Sequence, residues 1–385
     1  MNFIKKIIKP KQIINKQIIN LAAGPTQLSE NVKKQAAKAL LNYNNTGRSI
    51  CEITHFEDEW KNIYNKTISI TKEFLKIPES HECFYMNGGG NHQFAALFYN
   101  LCDKNSTIQV LIDGYWSKKA SEEFEKFCNV QKVYKQKDLI DSPAYVFTYY
   151  CENETIKGFE HKNSINFKPK KHLLVCDTCS ILGSKQMDIS NFDVIFSSLS
   201  KNLGIAGSSL VILNKNIIKS EEFNNISNIS TVMSWNLVLN NTGPTPNNFA
   251  IYFTCLNIKE MIKRGGLNFF DSYNIKKSKL LYDYIDKSNF YTNNIPIINR
   301  SRTNIVFNIK NSNFCVKEFV EFCELNGIYG VEGHKFNTSH LCRVSLYNSV
   351  SIDNVYYLIK IMEKYKKKNY KNYKKLWRKT KIQKY

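Results

Sequence analysis

From about residue 83 onward the chain alternates short continuous apolar runs with stretches of helical spacing, and that alternation permits few architectures. "TIQVLID" (Thr107–Asp113) reads as a strand and "WSKKASEEFEKF" (Trp116–Phe127) as a helix. "AYVFTYY" (Ala144–Tyr150), "HLLVCD" (His172–Asp177), "DVIFSS" (Asp193–Ser198) and "SLVIL" (Ser209–Leu213) read as further strands. Strands that are apolar on both faces must be covered on both faces, so the pattern predicts an α/β fold with a mostly parallel sheet between helices. A helix is also expected over Asn62–Ile77, just before Pro78.

Beyond Gly265–Gly266 the pattern changes. Strands at Thr303–Ile309 and Cys342–Asn348, with helices at Val316–Leu325 and Ile352–Tyr365, suggest a smaller C-terminal α/β unit. The expected division is a basic extension over 1–20 and a large domain over 21–265, whose first residues pack on the small domain. The small domain follows over 266–365, then a basic disordered tail over 366–385.

The charge is concentrated at the ends. The net charge is +21, yet Lys364–Tyr385 holds 11 basic residues and no acidic one, and Met1–Ile19 holds five lysines and no acid. The body between them is therefore only mildly basic. A solvated helix end is the preferred reading of the tail, over nucleic-acid or anionic-membrane binding. No apolar run is long enough to span a bilayer. Eleven irregularly spaced cysteines point to free thiols in a reducing compartment. "CDTC" is a lone CxxC, read as two cysteines at a buried strand end rather than a zinc or redox pair, and no metal site is expected.

The stretch "VIFSSLSKNLGIAGSSLVIL" (Val194–Leu213) sets one lysine, Lys201, among small residues between two apolar strands. That places it at the carboxyl edge of the sheet, where open α/β sheets bind ligands. Ser197, Ser198 and Ser200 offer hydrogen bonds, and Gly204 and Gly207 permit close backbone approach. A desolvated lysine has a lowered pKa and attacks carbonyls. Asp177 ends the preceding strand, where a buried carboxylate needs a partner. The ring nitrogen of pyridoxal phosphate is such a partner, and a helix cap or turn is the plainer alternative. In "NGGGNHQFAAL" (Asn87–Leu97) glycines open an apolar helix, whose free N–H groups suit a phosphate. Trp116 opens another helix at the same edge and is placed to stack on a flat ring, or simply to fill core.

Together these phrases resemble the phosphoserine aminotransferases, within the class V aminotransferases of the fold-type I pyridoxal phosphate enzymes. The resemblance runs from about Leu21 to Lys364. It is carried by "NLAAGPTQLSENV", "MNGGGNHQFAAL", "DGYWSKKA", "CENETIKG", "DISNFDVIFSSLSKNLGIAGSSLVIL", "NRSRTNIVFNI" and "CRVSLYNSV". It implies pyridoxal 5'-phosphate carried on Lys201 as a Schiff base, with Asp177 on the ring nitrogen, Trp116 stacked on the ring and Thr155 near its hydroxyl. Gly90, Asn91 and Ser200 would help bind the cofactor, with Asn241 and Thr242 reaching it from a partner subunit. His55, His334, Lys335 and Arg343 would hold the substrate's anionic groups, arginine being suited to grip a carboxylate with two hydrogen bonds.

This sequence departs from the family at several points: Phe56 stands where the family has arginine, Ser200 where it has glutamine, and Lys335 where it has arginine. Arg48 is the expected stand-in for the anion contact that Phe56 lacks. The implied activity moves an amino group between glutamate and 3-phosphohydroxypyruvate in serine biosynthesis, with pyridoxine biosynthesis as a second setting. A cytoplasmic homodimer is expected, with neither nucleic acid nor membrane as partner. The alternatives are another class V transaminase with an altered substrate, or an inactive descendant whose basic tail binds nucleic acid or another anion.

Overall fold

The computed structural model describes residues 18–162, 164–225, 229–310, 316–334 and 341–382. The central sheet has seven strands: β1 (His81–Asn87), β2 (Thr107–Leu111), β3 (Asn129–Val133), β4 (Phe147–Cys151), β5 (Leu173–Asp177), β6 (Val194–Ser198) and β7 (Ser208–Asn214). Their order is β1-β7-β6-β5-β4-β2-β3. The pairs from β6 through to β3 are parallel, while β7 is antiparallel to both β6 and β1.

Side chains alternate between two cores. On β6, Ile195 enters one and Val194 and Phe196 the other; on β7, Leu210 and Ile212 oppose Val211 and Leu213. Each face is covered by helices. Helices α1 (Glu30–Leu41), α2 (Asp58–Leu75), α3 (Gly90–Leu101) and α4 (Tyr115–Phe124) come first in the chain. Trp60, Ile63, Ile70 and Phe74 of α2 pack on one side; Phe94 and Leu97 of α3 and Phe124 of α4 pack on the other. Each fully buried large apolar side chain contributes about 1.5–3 kcal/mol, so the two faces together fix the register of every strand.

Two long helices follow, α5 (Asn248–Lys263) and α6 (Gly266–Lys287). The Gly265–Gly266 junction is tight, and α6 itself runs through both parts of the molecule. Leu267 and Phe270 lie in a core of the central sheet, while Leu281, Tyr282 and Ile285 lie in a separate C-terminal core. That core backs an antiparallel sheet of β8 (Tyr291–Thr292), β9 (Asn304–Ile309) and β10 (Leu341–Ser345). It is covered by α7 (Val316–Leu325) and α8 (Ile352–Ile382). At the chain's start, Ile19–Asn20 pairs in parallel with Ile328–Tyr329.

The backbone of α8 continues to Ile382, past residue 365 where the sequence reading ended the helix and began a disordered tail. No glycine or proline interrupts that stretch, and lysine is a good helix former. Among the described residues, no helix is long and apolar enough to cross a membrane. Nor does any group of three or more His, Cys, Asp or Glu lie where it could hold a metal ion.

Candidate active site

Asp177 is the last residue of β5, and its register partner on β6 is Phe196. Lys201 follows β6 by three residues, so neighbouring parallel strands deliver a carboxylate and an amine to one edge of the sheet. Both line a cavity of about 390 Å³. Gly90, Asn91, Trp116, Thr155, Ser200, His334 and Arg343 line the same cavity.

The phosphate end is built from α3. Gly88 has φ +88°, and a Cβ there would come 2.4 Å from the His92 ring, so only glycine makes this entry to the helix. No acceptor among the described residues takes the N–H groups of Gly90 and Asn91, which open the helix at the cavity wall. A Cβ on Gly90 would come 2.8 Å from Cys179 Sγ, so a larger residue would intrude on that wall. The Ser198 and Ser200 hydroxyls lie 2.9 Å apart and add donors. Helix N–H groups and hydroxyls converging here suit a phosphate.

The carboxylate of Asp177 is almost fully buried. Its Oδ1 accepts from the Cys179 N–H at 2.8 Å and its Oδ2 from the Tyr149 hydroxyl at 3.2 Å. Burial pushes its pKa up, countered by the Cys179 N–H, the Lys201 ammonium and the Tyr149 hydroxyl. Each oxygen keeps acceptor capacity for a ring N–H. The turn alternative read from sequence is thus also present, through Cys179, and does not exhaust the carboxylate.

Lys201 Nζ lies 5.7 Å from the centroid of the Trp116 ring. The indole is fixed at both ends: its Nε1 donates to Thr155 Oγ1 at 2.9 Å, and its backbone N–H donates to Glu154 Oε2 at 2.9 Å. Burial alone lowers the Lys201 pKa, but Tyr347, Cys179, Asp177 and Cys151 outweigh it, and the pKa lies above the ordinary lysine value. The sequence expectation of a lowered pKa is corrected for this pocket: the groups gathered around the amine, Tyr347 and Cys179 ahead of Asp177, together favour the ammonium more than desolvation disfavours it.

At the other end, Arg343 extends from β10. Its Nε is buried without a hydrogen-bond partner among the described residues, and its Nη1 makes only a long contact, 3.5 Å, to the Thr155 carbonyl. An orphaned guanidinium beside a cavity is poised for an anion. His334 packs on Tyr115 at 5.1 Å between ring centroids, and burial and then the Arg343 charge lower its pKa. Lys335 lies outside the described residues.

Four expected site residues do not line this cavity. His55 and Asn241 share a second cavity of about 230 Å³ with Phe56, Trp60 and Tyr64. Thr242 is exposed, with its N–H bonded to the Leu237 carbonyl. The Arg48 guanidinium is engaged by Glu57 at 2.8 Å and Glu59 at 3.5 Å, and it holds the Glu57 carboxyl down to about 2. That corrects the picture of Arg48 as an open anion contact: two carboxylates already occupy it. Phe56 is 72% exposed and packs on His55 with the rings tilted, their centroids 3.9 Å apart.

Sequence reasoning missed Asn153, Cys179 and the Ala23–Pro25 segment as cavity walls. Asn153 and Ala23–Pro25 lie inside phrases that carried the resemblance, but nothing in their residue types marked them. Cys179 was visible only as half of a CxxC; Cys176 points into the core behind the sheet, and the described cysteines are all free. Gly204 and Gly207 serve α5 rather than a ligand: a Cβ on either would meet Thr254 Oγ1 at 2.3 Å or Asn247 Nδ2 at 2.5 Å.

A lysine and a carboxylate at neighbouring strand ends, a helix N-terminus and a stacking indole define a class. The family model for Aminotransferase class-V matches residues 18–358. A probable phosphoserine aminotransferase of Dictyostelium discoideum is 36% identical over 92% of this chain and 98% of its own length. The phosphoserine aminotransferase of Haemophilus ducreyi is 32% identical over 92% and 99%. The crystal structure of PLP-bound phosphoserine aminotransferase from Trichomonas vaginalis superimposes with a TM-score of 0.82 at 27% identity, covering 90% of this chain and all of that one. The enzyme from Bacillus circulans subsp. alkalophilus gives 0.84 at 26% identity, covering 92% and 99%. The chain is a class V aminotransferase by fold and sequence. Within that class it belongs to the phosphoserine aminotransferase family.

Proposed function

We propose that this chain transfers the amino group between glutamate and 3-phosphohydroxypyruvate, giving 2-oxoglutarate and O-phosphoserine, with pyridoxal phosphate as cofactor. The observation that carries this is the pair Asp177 and Lys201 at adjacent strand ends of one cavity. The cavity fits the cofactor on its own chemistry: open N–H groups at Gly90 and Asn91, a buried carboxylate with acceptor capacity and a fixed indole. When bound, pyridoxal phosphate supplies an electron sink for a negative charge developing at the substrate α-carbon.

In this reading the chain's residues divide the work. Gly90, Asn91, Ser198 and Ser200 hold the phosphate; Trp116, kept in plane by Thr155 and Glu154, covers one face of the ring. Asp177 binds the protonated ring nitrogen. A carboxylate so engaged holds the Lys201 ammonium less, which brings the lysine's pKa down from its raised value. Lys201 Nζ can then remove the α-proton of the amino-acid substrate as general base, and deliver a proton to the α-carbon as general acid in the reverse half-reaction. Arg343 grips the α-carboxylate, which fixes the α-proton toward Lys201. Arg343→Lys should raise KM for both amino-acid substrates by about tenfold or more, with a smaller change in kcat, because the bidentate fork is lost but the charge is kept.

The substrate assignment is tested by half-reactions. The holoenzyme is mixed in turn with phosphoserine, glutamate and alanine, and its visible absorbance is followed. Bleaching by phosphoserine and glutamate alone is the expected result; bleaching by alanine but not phosphoserine would reassign the substrate.

A homodimer is part of this proposal. His55 and Asn241 gather in a second cavity away from Lys201, and Thr242 also lies off the lysine cavity, as suits residues offered to a partner's site. Sedimentation of the holoenzyme as a monomer would remove that part. The cytoplasm is assigned from cysteine usage.

A further inference from the structure

The segment Asn20–Gln27 supplies Ala23, Gly24 and Pro25 to the cavity wall, and hydrogen bonds hold it on both sides of Gly24–Pro25. At its start, Leu21 N–H donates to the Tyr329 carbonyl, and the Leu21 carbonyl accepts from Ser345 N–H at 2.9 Å. Ser345 is two residues along β10 from Arg343. In the middle, the Ala23 carbonyl accepts from the Tyr347 hydroxyl at 3.2 Å, and that hydroxyl itself accepts from Asn304 Nδ2 at 3.1 Å. Gly24 lies against the lysine: a Cβ built on it would be 3.7 Å from both Cγ and Cε of Lys201. Further on, the buried Thr26 hydroxyl donates to the Lys201 backbone carbonyl at 2.8 Å. Gln27 Nε2 ends the span on the Ser349 carbonyl at 3.1 Å.

The turn that holds this segment is held in its turn. Lys277 is fully buried, and its ammonium donates to the Leu346, Tyr347 and Val350 carbonyls at 2.9–3.0 Å. Asn348 N–H donates to the Asn202 side chain, one residue beyond Lys201. The span therefore joins the strand that carries Arg343 to both the backbone and the side chain of Lys201.

We propose that Asn20–Gln27 is a strap that sets Lys201 relative to Arg343, with Thr26 and Tyr347 as positioning residues for the proton transfer. Thr26 acts through the strap; Tyr347 holds the strap and also stands near Lys201 and Arg343. Thr26 fixes the lysine's backbone, and Tyr347 fixes the strap over its side chain. The inference rests on the roles proposed above for Lys201 and Arg343. A strap of this kind matters because proton transfer is sensitive to small displacements of the base.

The test uses the full-length holoenzyme. Thr26→Val keeps the shape and removes the donor; it should lower kcat about tenfold, with KM for glutamate and cofactor content unchanged. Thr26→Ser restores the donor and should return kcat to within about twofold. Tyr347→Phe should lower kcat in the same sense, and the double variant Thr26→Val, Tyr347→Phe should be no slower than the slower single variant, since both release one strap. A rise in KM with unchanged kcat, a failure of serine to rescue, or full additivity of the two losses would overturn the proposal. Should Lys201→Ala retain full activity, the functional reading itself fails. Should Lys201→Ala be inactive while Thr26→Val matches wild type, only the strap fails.

Discussion

Lys201→Ala should lower kcat by about four orders of magnitude while leaving the protein folded and able to bind pyridoxal phosphate without a covalent bond. The size follows from losing two roles at one atom. Nζ is the group proposed to carry the cofactor covalently, and it is also the base that moves the α-proton. No other amine lines the cavity among the described residues, so nothing takes over either role. The folded state should survive because Asp177 loses a charged neighbour but keeps the Cys179 N–H and the Tyr149 hydroxyl. Two measurements check the claim. Borohydride reduction followed by peptide mass analysis should find the cofactor's mass on the Lys201 peptide of the wild type and on no peptide of the variant. Exogenous small amines should restore part of the variant's rate, since they replace a base and not a structural element. A variant with wild-type turnover, or label on a different lysine, would reassign the base.

How much of this was legible before the structure differs from element to element, and the reasons are physical. Strands β2, β4, β5, β6 and β7 announced themselves because a strand buried on both faces is nearly continuous in apolar residues, and the five runs from Thr107 to Leu213 are, with buried polar exceptions such as Gln109, Thr148, Ser197 and Ser198. The last turns of α8 were missed because the lysine-rich composition was read as a tail, although Tyr370, Tyr373, Leu376 and Trp377 recur there at helical spacing. Asp177 and Lys201 could be paired from sequence, since strand ends on one side of a parallel sheet share an edge. The direction of the lysine's pKa could not, because it depends on the sum of its neighbours: desolvation was visible in the sequence, while Tyr347, Cys179 and Cys151 come from three other places in the chain. Arg48 shows the same limit. Its type suggested an anion contact, but Glu57 and Glu59 reach it first. The strap was invisible for a related reason. Thr26 and Tyr347 are ordinary residues whose meaning comes from what lies 175 positions away from one and 324 from the other.

Asp177→Asn should be nearly as damaging as the lysine change, lowering kcat by about two to three orders of magnitude with cofactor still bound. The carboxylate's task is to keep a ring nitrogen protonated, and a neutral amide cannot stabilise a positive charge to the same degree. The geometry sharpens the expectation. Oδ1 and Oδ2 each accept from a fixed donor, the Cys179 N–H and the Tyr149 hydroxyl. An asparagine with its Oδ1 on the Cys179 N–H can donate its NH2 to the Tyr149 oxygen, which accepts as well as donates, so the turn is kept and the loss falls on the ring nitrogen. Asp177→Asn should therefore melt close to wild type while losing activity. Asp177→Glu separates charge from placement. It restores the charge and both acceptors while lengthening the arm by one methylene, so it should recover most of the ring-nitrogen function and lose activity through misplacement. A pyridoxal phosphate derivative methylated on the ring nitrogen carries a permanent positive charge there and needs no acceptor to keep it. Loaded into Asp177→Asn, it should recover a larger share of the rate than it gives in the wild type. Equal rates for Asp177→Asn and wild type with the natural cofactor would show that the buried carboxylate serves only the turn at Cys179.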